Sequence, residues 1–136
     1  MQVLGRRSVG SVPTPTQTHP DWPWLLTVGG NSGSTSDFGW SDVEKALWEL
    51  DQETDSFLIL EQKDSQTPDT CWFIQCAVAR QGPDQGSYAV EIGCTAPEGS
   101  RLWTQIVPDM QAAIDYFYDA YDRGSLDVSG FRETVL

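Results

Sequence analysis

Apolar positions recur along this chain with two periods, and the two divide it into helices and strands. In "WSDVEKALWELD", Trp40 to Asp51, residues Val43, Ala46, Leu47 and Leu50 fall at i, i+3, i+4 and i+7, the stripe of an amphipathic helix. Ser41 and Glu44 have capping-box spacing, which predicts a start at Asp42. A second stripe runs through Met110, Ala113, Ile114, Phe117 and Tyr121. Pro108 suits the first turn of that helix, Asp109 complements its positive end, and Gly124 suits a left-handed stop.

Elsewhere the period is two. "WLLTV" ends at Gly29-Gly30 and reads as a first strand; residues 56–62, 71–80, 87–94 and 101–107 read as four more. Short polar loops join the last three, which predicts an antiparallel meander. The order is β-α-β-β-β-β-α: an α+β fold, with an antiparallel sheet of four to five strands and two helices packed on one face. Residues 1–20 carry Pro13, Pro15 and Pro20 among Ser, Thr and Gln, and read as a flexible leader. Residues 21–136 then form one domain with a compact core over about 40–124, and the tail "SLDVSGFRETVL" either docks or frays.

The strands also predict what faces where. In "SYAVEIGC", Tyr88, Val90, Ile92 and Cys94 make a core face, leaving Ala89, Glu91 and Gly93 outside. "CWFIQCAVAR" is apolar on both faces: Trp72, Ile74, Cys76 and Val78 on one, Phe73, Gln75, Ala77 and Ala79 on the other. Two helices cover one side of a sheet, so the other side is closed by "DWPWLL" or by another chain. By the same parity Cys71 and Cys76, five apart, lie on opposite faces, while Cys76 and Cys94 are candidates to meet across adjacent strands. The expected state of the three cysteines is buried free thiols in a reducing cytoplasm.

Charge narrows the partners. Twenty acidic side chains against eight basic give a net charge of −12, and all of the excess lies from Trp40 onward. Such a surface repels nucleic acid and steers basic proteins toward it. No run of residues is apolar enough to span a membrane.

Candidate chemistry is sparse. The single histidine, His19, lies in the leader, so a base working near neutrality would have to be a perturbed carboxylate or cysteine. No phosphate-binding, dinucleotide or nucleophile-elbow motif occurs, and the cysteine spacing does not suit zinc. The reading is a protein that is not an enzyme, with no catalytic, metal or cofactor residues assigned.

Trp48 is the misfit. It lies about 150° from the centre of the first helix's apolar stripe, beside Glu44 and Asp51. An aromatic among carboxylates is what a binder of a basic surface presents. It is also what an ordinary solvated helix looks like with one stray tryptophan. Glu44, Trp48 and Asp51 form one candidate contact cluster; Phe73, Gln75, Glu91 and Trp103 on the sheet form a second. Asp115, Asp119 and Asp122, with Tyr116 and Tyr118, extend the acidic and aromatic character to the second helix.

"WSDVEKALWELD", "SFLILE", "WFIQCA" and "YAVEI" follow in that order. The pattern resembles the small acidic immunity proteins of bacterial polymorphic-toxin systems, particularly the deaminase-associated immunity family, over residues 40–122. The resemblance implies a cytoplasmic, non-enzymatic inhibitor that occludes the active site of a cognate toxin. The toxin is expected to be a nucleic-acid-targeting deaminase or nuclease with a basic cleft. It carries over no toxin-facing residue. The rival reading is an acidic, dimeric chaperone for a secreted effector, with the sheet face holding an extended segment of its client.

Overall fold

The computed structural model describes residues 16–17, 24–29, 34–50, 57–62, 71–79, 86–96 and 99–134. In chain order the elements are β1 (Thr16–Gln17), β2 (Leu25–Val28), β3 (Ser34–Thr35), α1 (Trp40–Trp48), β4 (Phe57–Glu61), β5 (Cys71–Val78), β6 (Tyr88–Ala96), β7 (Gly99–Val107), α2 (Met110–Arg123), β8 (Ser125–Leu126) and β9 (Arg132–Thr134). The expected α+β fold is present. The expected meander is β5-β6-β7, antiparallel throughout.

The sheet is larger than the alternation predicts. It has seven strands, in the order β9-β7-β6-β5-β4-β2-β3. The additional strands are β3, of two residues, and β9, of three; neither is long enough to show a period in sequence. The tail therefore docks. Leu126, Val128 and Phe131 are buried, and β9 pairs with the outer edge of β7. Arg101 clamps that edge by donating from Nε and Nη2 to the two carboxylate oxygens of Glu133, 2.8 Å each. Within the expected leader, Thr16–Gln17 pairs with β8 as a separate two-stranded ribbon; the rest of 1–20 lies outside the described residues.

Helix α1 begins two residues earlier than the capping-box spacing predicts. Its N-cap is Gly39, in extended conformation, and the Asp42 carboxylate reaches back to accept the Gly39 N–H at 2.8 Å. Ser41 is thereby inside the helix and exposed. The expected stripe still points inward: Val43 and Leu47 are wholly buried, with Ala46 and Leu50 partly so. Helix α2 is capped by Asp109, whose carboxylate accepts the Ala112 N–H at 2.9 Å. Pro108 precedes that cap rather than occupying the first turn. Gly124 ends the helix at φ 67°, a left-handed conformation that costs a residue without Cβ little.

Met110, Ala113, Ile114 and Phe117 of α2, with Val43 and Leu47 of α1, share one core with Leu58, Leu60, Ile74, Val90, Ile92 and Trp103 of the sheet. The N-terminus of α1 is tied to α2 through aromatic rings. Trp40 meets Tyr118 edge-on at 4.9 Å and Tyr121 at 5.9 Å, and Phe38 meets Tyr121 at 6.0 Å.

The cysteines depart from expectation for an identifiable reason. The β5–β6 register shifts between Cys71 and Phe73: Cys71 pairs with Cys94 while Phe73 pairs with Gly93. Two steps along β5 thus match one along β6, a β-bulge at Trp72 that turns Cys71 onto the core face. Cys71 and Cys76 therefore share a face, and Cys71 forms a disulfide with Cys94 across the two strands. Cys76 stays a buried thiol. Denatured without reductant, the chain should show one titratable thiol per molecule, and three would remove the disulfide. Closing a loop of 23 residues, it should raise unfolding free energy by about 3 kcal/mol over the Cys71→Ala/Cys94→Ala form.

Candidate functional site

With helices on one face, the other face of the sheet is defined by alternation. Leu58 and Leu60 of β4 are buried while Phe57, Ile59 and Glu61 point away from the core. Phe73, Gln75 and Ala77 of β5, Ala89 and Glu91 of β6, and Leu102, Thr104 and Ile106 of β7 do the same, and each is half-buried. Register aligns them into rows. The central row crosses all seven strands as Ser34, Thr27, Ile59, Gln75, Glu91, Thr104 and Arg132. Apolar rows flank it, Phe73-Gly93-Leu102 on one side and Phe57-Ala77-Ala89-Ile106 on the other.

Glycine keeps this face low. A Cβ at Gly93 would overlap the ring of Phe73, and one at Gly29 would overlap the ring of Phe57. Each phenylalanine therefore lies across a strand where its neighbour has no side chain. At the centre of the face, Gln75 Nε2 donates to Glu91 Oε1 at 2.7 Å and Thr104 Oγ1 donates to Glu91 Oε2 at 3.1 Å. Three of the four sheet residues expected to form a contact cluster, Phe73, Gln75 and Glu91, are thus adjacent.

The fourth is not among them. Trp103 points to the core, 4% exposed, level with Ile92 on β6. The Arg101 guanidinium lies 5.2 Å from its ring centroid, and its indole Nε1 has no hydrogen-bond partner among the described residues. "RLWTQIV" alternates equally well in either phase; pairing with Ile92 decides which phase is inside.

On the helix side, Trp48 is 56% exposed, the most open large apolar side chain among the described residues, with Glu49 exposed and Glu44 half-buried. Asp51 lies outside the described residues. The tyrosines expected to extend this cluster have internal partners instead: Tyr116 packs edge-on against Phe131 at 5.2 Å, and Tyr118 against Trp40. Tyr118 keeps 40% of its surface exposed.

Reactive groups are quiet. Burial pushes the Cys76 thiol up to about 12, helped by the charge of Glu91, so it stays protonated at neutral pH and is no nucleophile. Among the described residues no three His, Cys, Asp or Glu side chains are grouped to hold a metal ion. A cavity of about 380 Å³ beside α2 is lined by Ile92, Tyr116, Asp119, Arg123, Asp127 and Ser129. Its charged groups already have local partners: Asp119 pairs with Arg123 at 3.7 Å, and Asp127 accepts the Ser129 N–H at 2.9 Å.

Two outcomes follow. Gly93→Ala should displace the Phe73 ring and lower unfolding free energy by about 1–2 kcal/mol. In a Phe73→Ala background the same change should be neutral or stabilising, read from denaturant melts of the four-member cycle. The Arg101 hydrogen bonds hold the Glu133 carboxyl below the usual glutamate range. The clamp's contribution should therefore be complete above about pH 5 and lost as pH falls through the lowered value. Unfolding free energies of the native chain and Glu133→Gln should converge in acid. Compared with known proteins, the chain matches no family model, no curated sequence and no solved structure.

Proposed function

We propose that this protein is an immunity protein: it binds a cognate bacterial toxin domain and neutralises it by covering the active site. The observation that carries this reading is the two-sided sheet. One face is sealed by α1 and α2, and the other presents a low, mostly apolar surface centred on the hydrogen-bonded Glu91. Apolar area with a few fixed polar groups is the composition of a protein-binding surface. The net charge of −12 adds long-range steering toward a basic partner, such as the substrate cleft of a nuclease or a nucleic-acid deaminase. The order of "WSDVEKALWELD", "SFLILE", "WFIQCA" and "YAVEI" supports the same class by resemblance.

No helix among the described residues is long and apolar enough to cross a membrane. Neutralisation in the producing cell places the protein in the cytoplasm, where thiols are kept reduced. The proposal then requires the Cys71–Cys94 bridge to be shielded from reductants by burial, at 0% and 1% exposure.

The test is to sequence the neighbouring genes for a toxin domain and to co-express it with this chain. Growth should be rescued by the native protein and lost with Glu91→Lys, which sets a cation at the centre of the face. Trp48→Ala, on the opposite side of the molecule, should leave rescue intact. Rescue lost with Trp48→Ala and kept with Glu91→Lys would move the interface to the helices. No rescue by the native protein would end the immunity reading.

A further inference from the structure

Glu91 is an unusual residue for the middle of a seven-stranded sheet. Its carboxylate is half-buried, and no described cation pairs with it. What it has are two neutral donors, Gln75 Nε2 on one oxygen and Thr104 Oγ1 on the other. A carboxylate accepts about four hydrogen bonds, so each oxygen keeps a lone pair after these are made. The two donors come from strands on either side, β5 and β7, so they hold the carboxylate between them, one on each oxygen. Along β6 the neighbours on the same face are Ala89 and Gly93, which leave the approach low. Ala77 extends that floor onto β5, and the Phe73 ring borders it on the other side.

Resting on the reading of this face as a contact surface, we infer that Glu91, held by Gln75 and Thr104, is a socket for an arginine side chain of the partner protein. The chemistry selects the occupant. An apolar partner surface would strip water from the carboxylate without replacing it, which is unfavourable for a charged group. A cation removes that cost, and guanidinium matches two parallel acceptors with two parallel donors. The aliphatic stem lies over Ala77 and Ala89, and the guanidinium plane meets the edge of the Phe73 ring. A second copy of this chain is the poorer occupant, because each molecule brings a net charge of −12.

The probe is Nα-acetyl-arginine N-methylamide, titrated at millimolar concentration into the ¹⁵N-labelled protein. The citrulline analogue, of the same shape without the charge, is the control. The arginine probe should shift the Gln75 side-chain amide and the Glu91 backbone amide at least threefold more than citrulline does. Glu91→Gln should abolish that difference, and Glu49→Gln, at the C-cap of α1, should not. Equal shifts from both probes, shifts centred on the α1 carboxylates, or an effect that survives Glu91→Gln would each overturn the socket. So would a face occupied by self-association, seen as a dimer in sedimentation that Glu91→Gln dissociates. The result is separable from the immunity reading: toxin rescue that persists in Glu91→Gln removes the arginine socket alone, whereas a native protein that never rescues removes the function.

Discussion

The pairing of β5 with β6 is the constraint on which the rest of this structure depends. Side chains in a strand alternate, so slipping the pairing by one residue would exchange every inward group for an outward one. The register here sets Ile74, Cys76 and Val78 beside Ile92, Val90 and Tyr88, toward the helices, and Phe73 and Gln75 beside Gly93 and Glu91, away from them. Two devices hold it. The bulge at Trp72 turns Cys71 inward to be bridged with Cys94, and the Phe73 ring occupies the space that Gly93 leaves. One lies on the core face and the other on the open face. Both stand at the same end of the strand pair.

From that register follows an asymmetric molecule. The core face is almost wholly apolar and sealed by two helices whose N-termini are capped by Asp109 and by the return of Asp42 to Gly39. The opposite face, which no described helix covers, is mixed, and its polar groups satisfy one another in a row rather than being scattered. A lone carboxylate at this depth would be costly; Gln75 and Thr104 offset part of that cost and hold the group between them as they do so. The same two hydrogen bonds thus stabilise the sheet and prepare a surface for a charged partner.

Regular elements were legible in the sequence because period and burial coincide in them. The stripes of α1 and α2 and the alternation of β6 name most of the residues that are buried, although Ala46, Leu50, Tyr88 and Tyr121 are only partly so and the buried Ala120 is not among those named. What escaped was information held between strands. Nothing in "CWFIQCAVAR" marks a bulge at Trp72, so parity alone put Cys71 on the wrong face and hid the disulfide. Trp103 can be taken for an outward residue because its strand is apolar in both phases, and the partner residue Ile92 is what resolves the phase. The edge strands β3 and β9 are shorter than one reading window, and β9 is recruited by a side-chain clamp that no local pattern records. On α1, Ser41 offered a plausible cap, but Trp40 packs on Tyr118 and Tyr121, and the helix extends back to include it. At the candidate site, Phe73, Gln75 and Glu91 were legible through alternation. The hydrogen-bonded row that unites them was not, since it needs register across β5, β6 and β7.

The central claim is that the sheet is open on the face that carries Glu91. Methyl relaxation with a soluble gadolinium chelate tests this without any partner. The methyls of Ile59, Ala77, Ala89, Leu102 and Ile106 should broaden strongly, while those of Leu58, Leu60, Ile74, Val90 and Ile92 should be protected by the helices. Equal protection of the two sets would mean that another segment or another copy covers the face, and would contradict the account.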